Sequence, residues 1–152
     1  MNRRAFFVVP WLLGCLACAS ITGQGGDWQT AEVSAASQRV LWQVTAVAIE
    51  KERFPIGTGL DPSTQIATSG WRLDLDPFKS KGFREQAQVR TERLETGRFK
   101  LHVRVVRETN EELTAPMDPS RAKWKKAPND PTRAQILIQR IKSLLGTELE
   151  VK

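Results

Sequence analysis

The residues of this chain that could do chemistry are few and lie far apart. His102 is the only histidine, and both cysteines, Cys15 and Cys18, precede the region with globular patterning. A metal site needs several converging ligands, and a catalytic triad needs a base beside its nucleophile. A single histidine with no cysteine near it satisfies neither demand. The sequence therefore predicts no metal site and no thiol chemistry in the folded part.

Asp74 and Asp76 have a spacing that could serve acid–base catalysis. Residues two apart on a β-strand project from the same face, and two neighbouring carboxylates can share the roles of acid and base. Pro77 follows directly, however, which is typical of a solvated strand end. No serine lies in a GxSxG sequence, the setting of a hydrolase nucleophile. We therefore predict a protein that is not an enzyme and has no cofactor and no small-molecule substrate.

Two groups of cations suit a binding role, in a chain with 23 Lys and Arg against 17 Asp and Glu. One lies on the polar side of a predicted sheet, and the other lies in a predicted loop where a tryptophan stands among lysines. Either could contact a protein partner or an anionic membrane, because the ring suits the headgroup boundary and the lysines suit phosphates. The alternative is a solvated face relieved by nearby glutamates. The sheet group is Arg84, Arg90, Lys100 and Arg104, beside His102, and the loop group is Arg121, Lys123, Trp124, Lys125 and Lys126.

Residues 1–19 have the organisation of an export signal. Arg3 and Arg4 give a basic start, the apolar run AFFVVPWLLG follows, and small residues end the segment. The run is shorter than the about 20 apolar residues of a transmembrane helix, and it contains Pro10. We therefore predict export to the periplasm. Nucleic acid, which the charge alone would allow, is not an expected partner there.

Three fates of this signal remain open. Leu12-Leu13-Gly14-Cys15 is similar to a bacterial lipoprotein box, which would make Cys15 the lipidated first residue. Ala17-Cys18-Ala19 fits a small-x-small cleavage site, which would release a soluble protein beginning at Ser20. An uncleaved helix would instead hold the chain as a structural accessory subunit of a larger membrane complex. We favour lipidation at Cys15 and an outer-membrane tether, because the box follows directly on the apolar run.

The sheet group of cations needs a β-hairpin to position it. The stretch 83–108 alternates apolar and polar residues on both sides of a turn at 95–97, which predicts two antiparallel strands with one apolar face and one cationic face. Residues 66–75 predict a third strand, with a bulge near Gly70. The basic loop falls in an exposed excursion over 117–130.

Two helices are predicted to cover the apolar face of this sheet. The first spans 34–53, with Ser34 as its cap, and its stripe is formed by Val40, Val44, Val47 and Ala48 and widened by Leu41. The second spans 132–145, behind Pro131, with a stripe of Ile136, Ile138, Ile141, Leu144 and Leu145, and it ends at Gly146. The fold class is thus α+β, a two-layer sandwich with an antiparallel three-stranded sheet and two helices on one face, in the order α-β-β-β-α. Residues 20–33 are a flexible tether, 34–146 a single domain and 147–152 a tail.

Several local sequences resemble a known family. They are Val40-Leu41, Phe54-Pro55-Ile56, Asp61, Ile66-Ala67-Thr68 and Gly82-Phe83-Arg84. In this order they resemble helix-grip-fold bacterial envelope lipoproteins related to the C component of the outer-membrane β-barrel assembly machinery. The resemblance implies an accessory, non-catalytic role in envelope assembly, with an envelope protein complex or the membrane surface as partner.

Overall fold

The computed structural model describes residues 28–61, 65–75 and 82–146. The predicted export signal with Cys15, the tether up to residue 27 and the tail 147–152 lie outside the described residues. Within the described residues, no helix is long and apolar enough to cross a membrane.

The described residues form one antiparallel sheet of seven strands with two helices. The predicted three-stranded sheet and the order α-β-β-β-α are therefore wrong, and only the coarser α+β class holds. Three strands, at residues 29–34, 59–61 and 124–127, were missed because they are three to six residues long and lie at the margins of the sheet. The elements in chain order are β1 (Gln29–Ser34), α1 (Gln38–Lys51), β2 (Gly59–Asp61), β3 (Ile66–Thr68), β4 (Arg72–Asp74), β5 (Phe83–Glu95), β6 (Arg98–Asn110), β7 (Trp124–Ala127) and α2 (Pro131–Leu145).

The hairpin of β5 and β6 is the centre of the sheet. The two strands pair along nearly their whole length, with Val89 opposite Val103, and the register shifts between Arg93 and Glu95. Gly97 closes the turn at a φ of 77°, a conformation that glycine adopts without steric cost. The predicted hairpin is therefore confirmed, and its second strand runs two residues further than predicted.

Short strands extend both edges of this hairpin. On the β6 side, β1 pairs with the first half of the strand and β7 pairs with its end. On the β5 side, β4 pairs near the beginning of the strand and β3 nearer its middle, and β2 lies beyond β3. β5 and β6 are each 13 residues long, whereas the strands at their edges have three to six residues. Each edge is therefore shared by two short strands.

Two of these edge strands correct the sequence interpretation. Gln29–Ser34 was assigned mainly to the flexible tether, and Trp124–Ala127 to an exposed excursion. Both are polar, because an edge strand with one solvated face needs few apolar residues. The long strand β6 supplies their backbone hydrogen-bond partners, a tertiary contribution that local alternation does not reveal.

The predicted strand over 66–75 is instead two strands, β3 and β4. Between them the N–H of Gly70 donates to the carbonyl of Pro55 at 2.8 Å, so this residue is hydrogen-bonded outside the sheet. The Ser69 hydroxyl accepts from the N–H of Ala87 at 2.9 Å. This side chain thereby replaces a backbone partner where the strand is interrupted.

Both helices share one core with one face of the sheet. Helix α1 is capped by Ser37, whose hydroxyl accepts from the N–H of Val40, so the predicted cap Ser34 and the predicted start are wrong. Leu41 and Ala48 of the predicted stripe are fully buried, whereas Val40 and Val47 are 37% and 42% exposed. The largest fully buried apolar side chains are Leu41, Val89, Leu101, Val103, Val105, Leu137, Ile138 and Ile141.

Helix α2 begins and ends close to the predicted positions. The carboxylate of Asp130 accepts from the N–H of Arg133, Pro131 occupies the first turn, and Gly146 ends the helix at a φ of 72°. Leu137, Ile138 and Ile141 are buried. Ile136 and Leu144 of the predicted stripe are instead 46% and 37% exposed.

Candidate binding surface

The side of the sheet that faces away from both helices brings together the predicted sheet cations and three tryptophans. Even-numbered residues of β5 and β6 project there, because successive side chains of a strand alternate between faces. No helix of the described ranges packs on this side. We name it the outer sheet face, and it comprises Arg84, Gln86, Gln88, Arg90, Glu92, Lys100, His102, Arg104, Val106 and Glu108 with the flanking Trp28, Trp71 and Trp124.

Arg84 lies between two tryptophan rings. Its Cζ is 4.3 Å from the centroid of the Trp71 ring and 4.7 Å from that of Trp124. Its Nε and Nη2 also donate to Oε2 of Glu108, at 2.7 and 2.5 Å. A guanidinium held by two aromatic faces and a carboxylate loses most of its rotamer freedom. This end of the outer sheet face is therefore rigid before any partner binds.

Arg104 makes a second stack on the same face. Its Cζ is 4.3 Å from the centroid of the Trp28 ring, and its Nε donates to Oε1 of Gln88 at 2.7 Å. The amide of Gln88 in turn donates to Oε1 of Gln86 at 3.1 Å. The Arg104 stack thus extends through Gln88 to Gln86, whose amide donates to the carbonyl of Ser69 at 3.0 Å.

Two cations of the outer sheet face, Arg90 and Arg104, have no carboxylate partner among the described residues. Lys100, by contrast, lies opposite Glu92 of β5 and Glu32 of β1 in the ladders. Arg90 is opposite His102 in the ladder, so Arg104 is its diagonal neighbour, and such pairs lie about 7–8 Å apart. Like charges at this distance repel each other weakly and favour an anionic partner between them.

His102 does not belong to a metal site in the described part of the chain. Its Nε2 is 3.4 Å from Oε2 of Glu92, and no group of three potential metal ligands is found among the described residues. Asp74 lies exposed at the end of β4, while Asp76 is outside the described residues. No acid–base pair is therefore assembled from the residues that the structure describes.

The structure does not bring the predicted basic loop together as one site. The N–H of Arg121 donates to the carbonyl of Asp118 in a turn, and Lys123 forms an ion pair with Glu112 at 2.9 Å. Lys125 and Lys126 are exposed on β7. Trp124 is half-buried, because its ring stacks on Arg84. The tryptophan therefore belongs to the outer sheet face rather than to an isolated loop.

The ion pair of this segment changes the acidity of Glu112. The ammonium of Lys123, then the hydroxyl and the N–H of Thr114, stabilise the carboxylate and lower the pKa of Glu112 to about 2. Lys123 is held against Glu112 by this ion pair. It is therefore less available to a partner than the other cations of the loop group.

A buried cluster of charges on the opposite side of the sheet was not predicted. Glu85 is fully buried, and its carboxylate accepts from Arg72 at 2.6 Å and from Nε of Arg107 at 2.9 Å. Arg133 lies 3.3 Å from the same carboxylate, and Arg107 also reaches Asp130 at 2.8 Å. These contacts join β4, β5, β6 and α2.

The one sequence signal for this cluster was the parity of Glu85, which places a carboxylate on the apolar side of β5. The participation of Trp28 and Trp71 in the outer sheet face also escaped prediction. Both reach it through pairing between strands that are distant in sequence. Of the predicted sheet cations, Arg84, Arg90, Lys100 and Arg104 all lie on this face.

The sequence matches no protein-family model and no curated protein, so a function for this chain has to come from the geometry of the outer sheet face.

Proposed function

We propose that this chain is an exported, membrane-tethered and non-enzymatic accessory protein of the cell envelope. Its outer sheet face binds an acidic surface of a partner protein. The observation that carries this proposal is the stack of Arg84 between Trp71 and Trp124, on a sheet face that no described helix covers. The predicted export signal and the similarity of Leu12-Leu13-Gly14-Cys15 to a lipoprotein box support the location.

Tryptophan and arginine are the side chains that most often dominate protein–protein binding energy. Trp28, Trp71 and Trp124 are half-buried, so each keeps part of its ring available. Their arginine partners hold them in place, and a rigid surface loses less entropy when it binds. A partner protein with complementary side chains would therefore gain both contact area and affinity here.

The charge of the face selects an acidic partner. Arg90 and Arg104 have no carboxylate partner among the described residues, so this part of the face attracts anions. A membrane is the less suitable partner, because interfacial binding needs apolar side chains that can enter the headgroup region. Trp124 is the aromatic residue expected to do so, and its ring lies beside Arg84, whose guanidinium also pairs with Glu108, rather than among exposed apolar side chains.

Site-specific photo-crosslinking in intact cells tests this proposal. A benzoylphenylalanine replaces Gln88 at the centre of the outer sheet face, and in a second strain it replaces Gln139, an exposed residue of α2 in the helical layer. We expect a discrete ultraviolet-dependent adduct from position 88 and none of the same mass from position 139. Adducts of equal yield from both positions, or none from position 88, would contradict the proposal.

Charge reversal shows whether the adduct depends on the cationic face. Arg90→Glu with Arg104→Glu should lower its yield about tenfold, because these residues lie at the centre of the contact. Arg39→Glu, on the exposed side of α1, is the matched control and should leave the yield unchanged. Co-sedimentation with phosphatidylglycerol liposomes distinguishes the membrane alternative. Strong sedimentation that Arg90→Glu abolishes, without a protein adduct, would replace the partner protein by a lipid surface.

A further inference from the structure

The loop that joins β6 to β7 exposes two large apolar side chains. Leu113 is 74% exposed and Met117 is 52% exposed, and neither belongs to the buried core. They stand four residues apart within residues 111–123, which we name the β6–β7 loop. Single exposed apolar residues are common on protein surfaces, but two in one short loop favour contact with an apolar environment.

The β6–β7 loop is fixed by the buried side chain of Asn110. Its Oδ1 accepts from the N–H of Glu112 at 2.9 Å and from the N–H of Lys123 at 3.0 Å. Its Nδ2 donates to the carbonyl of Pro116 at 3.4 Å. One side chain thus holds the beginning, the middle and the end of the loop. The two exposed apolar residues directly follow residues held in this way, so their backbone positions are fixed before anything binds.

The unpaired charge beside these apolar residues is positive. Each carboxylate of the β6–β7 loop already has a partner within the protein. Lys125 and Lys126, on the adjoining strand β7, are exposed and have no carboxylate partner in the described part of the chain. Apolar side chains that enter the headgroup boundary, with lysines that meet lipid phosphates, are the two elements of interfacial membrane binding. This end of the hairpin has both.

The predicted lipid at Cys15 would bring a membrane within reach of the β6–β7 loop. Strand β1 is antiparallel to β6 and begins opposite Val103, so its first residue is the one nearest to the end of β6 at Asn110. The seven residues from Val103 to Asn110 cover about 23 Å. The 13 residues from Cys15 to Trp28 can span at most about 43–47 Å. The tether is thus long enough for the loop to touch the membrane that holds the chain.

We propose that the β6–β7 loop docks on an anionic membrane surface. Leu113 and Met117 enter the headgroup boundary, and Lys125 and Lys126 lie against lipid phosphates. This inference rests on the proposed membrane tether, and it adds the surface that orients the tethered domain. Because the loop lies at one end of the β6–β7 hairpin, the strands lead away from the membrane. The outer sheet face is then at the side of the domain, where it stays open to a partner protein.

Photo-crosslinking to lipid in intact cells tests this contact. Benzoylphenylalanine replaces Met117, and in the control strain it replaces Leu94, which is 43% exposed near the opposite end of the β5–β6 hairpin. In cells grown with radioactive phosphate, ultraviolet light should attach labelled phospholipid to the chain from position 117. The label from position 94 should be at least about tenfold lower, because the hairpin holds that end away from the membrane. Samples kept in the dark measure any label that does not come from the crosslink.

Substitutions in the position-117 strain show whether the lysines contribute. Lys125→Gln with Lys126→Gln should lower the label about tenfold, since each cation near an anionic surface favours binding by roughly a factor of five. Lys51→Gln with Arg93→Gln removes the same charge from exposed positions elsewhere and should leave the label unchanged. Circular dichroism of the purified variants verifies that each is folded.

The outcomes separate this inference from the function proposed for the outer sheet face. No label from position 117 of a membrane-bound chain, or equal label from both positions, would overturn the loop contact alone. A discrete protein adduct from position 117 without label would replace the membrane by a protein. A chain found in the soluble fraction would refute the tether and, with it, this inference. Arg90→Glu with Arg104→Glu should lower the protein adduct from position 88 and leave the lipid label from position 117 unchanged; loss of both would show that the loop has no contact of its own.

Discussion

The guanidinium carbon of Arg84, on β5, lies 4.3 Å from the centre of the ring of Trp71, the residue that directly precedes β4. Pairing of β4 with β5 makes this contact, and pairing of β7 with β6 adds the Trp124 ring on the other side. Three separate segments of the chain therefore have to be in place before the outer sheet face exists. Its integrity should consequently follow the stability of the edge strands.

Replacement of Arg84 tests this relationship. Arg84→Ala removes two aromatic contacts and the ion pair with Glu108, in a side chain that is 25% exposed. We expect a loss of about 2 kcal/mol in the free energy of unfolding, measured with urea. Arg93→Ala, at an exposed position of the same strand, should change it by less than about 0.5 kcal/mol. Equal effects of the two variants would show that the stack contributes nothing to stability.

Removal of the Glu85 charge should be more damaging. Glu85→Gln leaves Arg72, Arg107 and Arg133 around a buried neutral amide, and an ion cluster that loses one partner typically costs about 3–5 kcal/mol. Glu92→Gln removes a carboxylate of the same strand whose side chain is 56% exposed, and it should be nearly neutral. Urea unfolding measures both. A cost below about 1 kcal/mol for Glu85→Gln would show that the cluster is dispensable for folding.

The parts of the fold that sequence could predict are those with local signals. The hairpin has an extended alternating pattern, and α2 has Pro131 at its start and Gly146 at its end. The edge strands carry no such signal. Gln29–Ser34 and Trp124–Ala127 are strands because β6 is long enough to pair with both of them, which is a property of distant residues.

The residues of the outer sheet face could likewise be predicted only where the local sequence carries a signal. The alternation of β5 and β6 indicates that Arg84, Arg90 and Arg104 share one face. It does not indicate that Trp28 and Trp71 meet them there, because that depends on which strands become neighbours. The assignment of Trp124 to an exposed loop had the same cause, since its contact with the sheet is made by tertiary pairing.

The lowered pKa of Glu112 predicts that the stability of the folded protein depends on pH. Its pKa is lowered from 4.5 to about 2 in the folded protein, so the folded state binds this proton less readily than the unfolded state. The stabilisation is therefore fully present above about pH 4.5 and is lost as the pH falls towards about 2. Glu112→Gln should flatten the decline of urea stability over this range, whereas Glu50→Gln, an exposed change on α1, should not. An unchanged decline in Glu112→Gln would refute the assignment.

Lipidation at Cys15 is the prediction on which the tether depends. Cells grown with a radioactive fatty acid should label the chain, and Cys15→Ala should abolish the label, because the thiol of this residue is the acceptor. Globomycin should cause the larger precursor to accumulate. Cys18→Ala is the matched control and should be labelled normally. Labelling that survives Cys15→Ala, or a mature chain that begins at Ser20, would exclude the lipoprotein route.

Two glycines in the chain after α1 allow the cost of a steric clash to be compared with the cost of a strained backbone conformation. Gly57→Ala forces a Cβ to within 2.1 Å of a backbone atom of Ser69, so the loop has to move away from the chain after β3. Gly59→Ala meets nothing within 4 Å, and its strain comes only from a φ of 75°. We expect costs in urea stability of about 3 kcal/mol for Gly57→Ala and about 1 kcal/mol for Gly59→Ala. Equal costs for the two variants would show that the close approach of Gly57 to Ser69 does not constrain this loop.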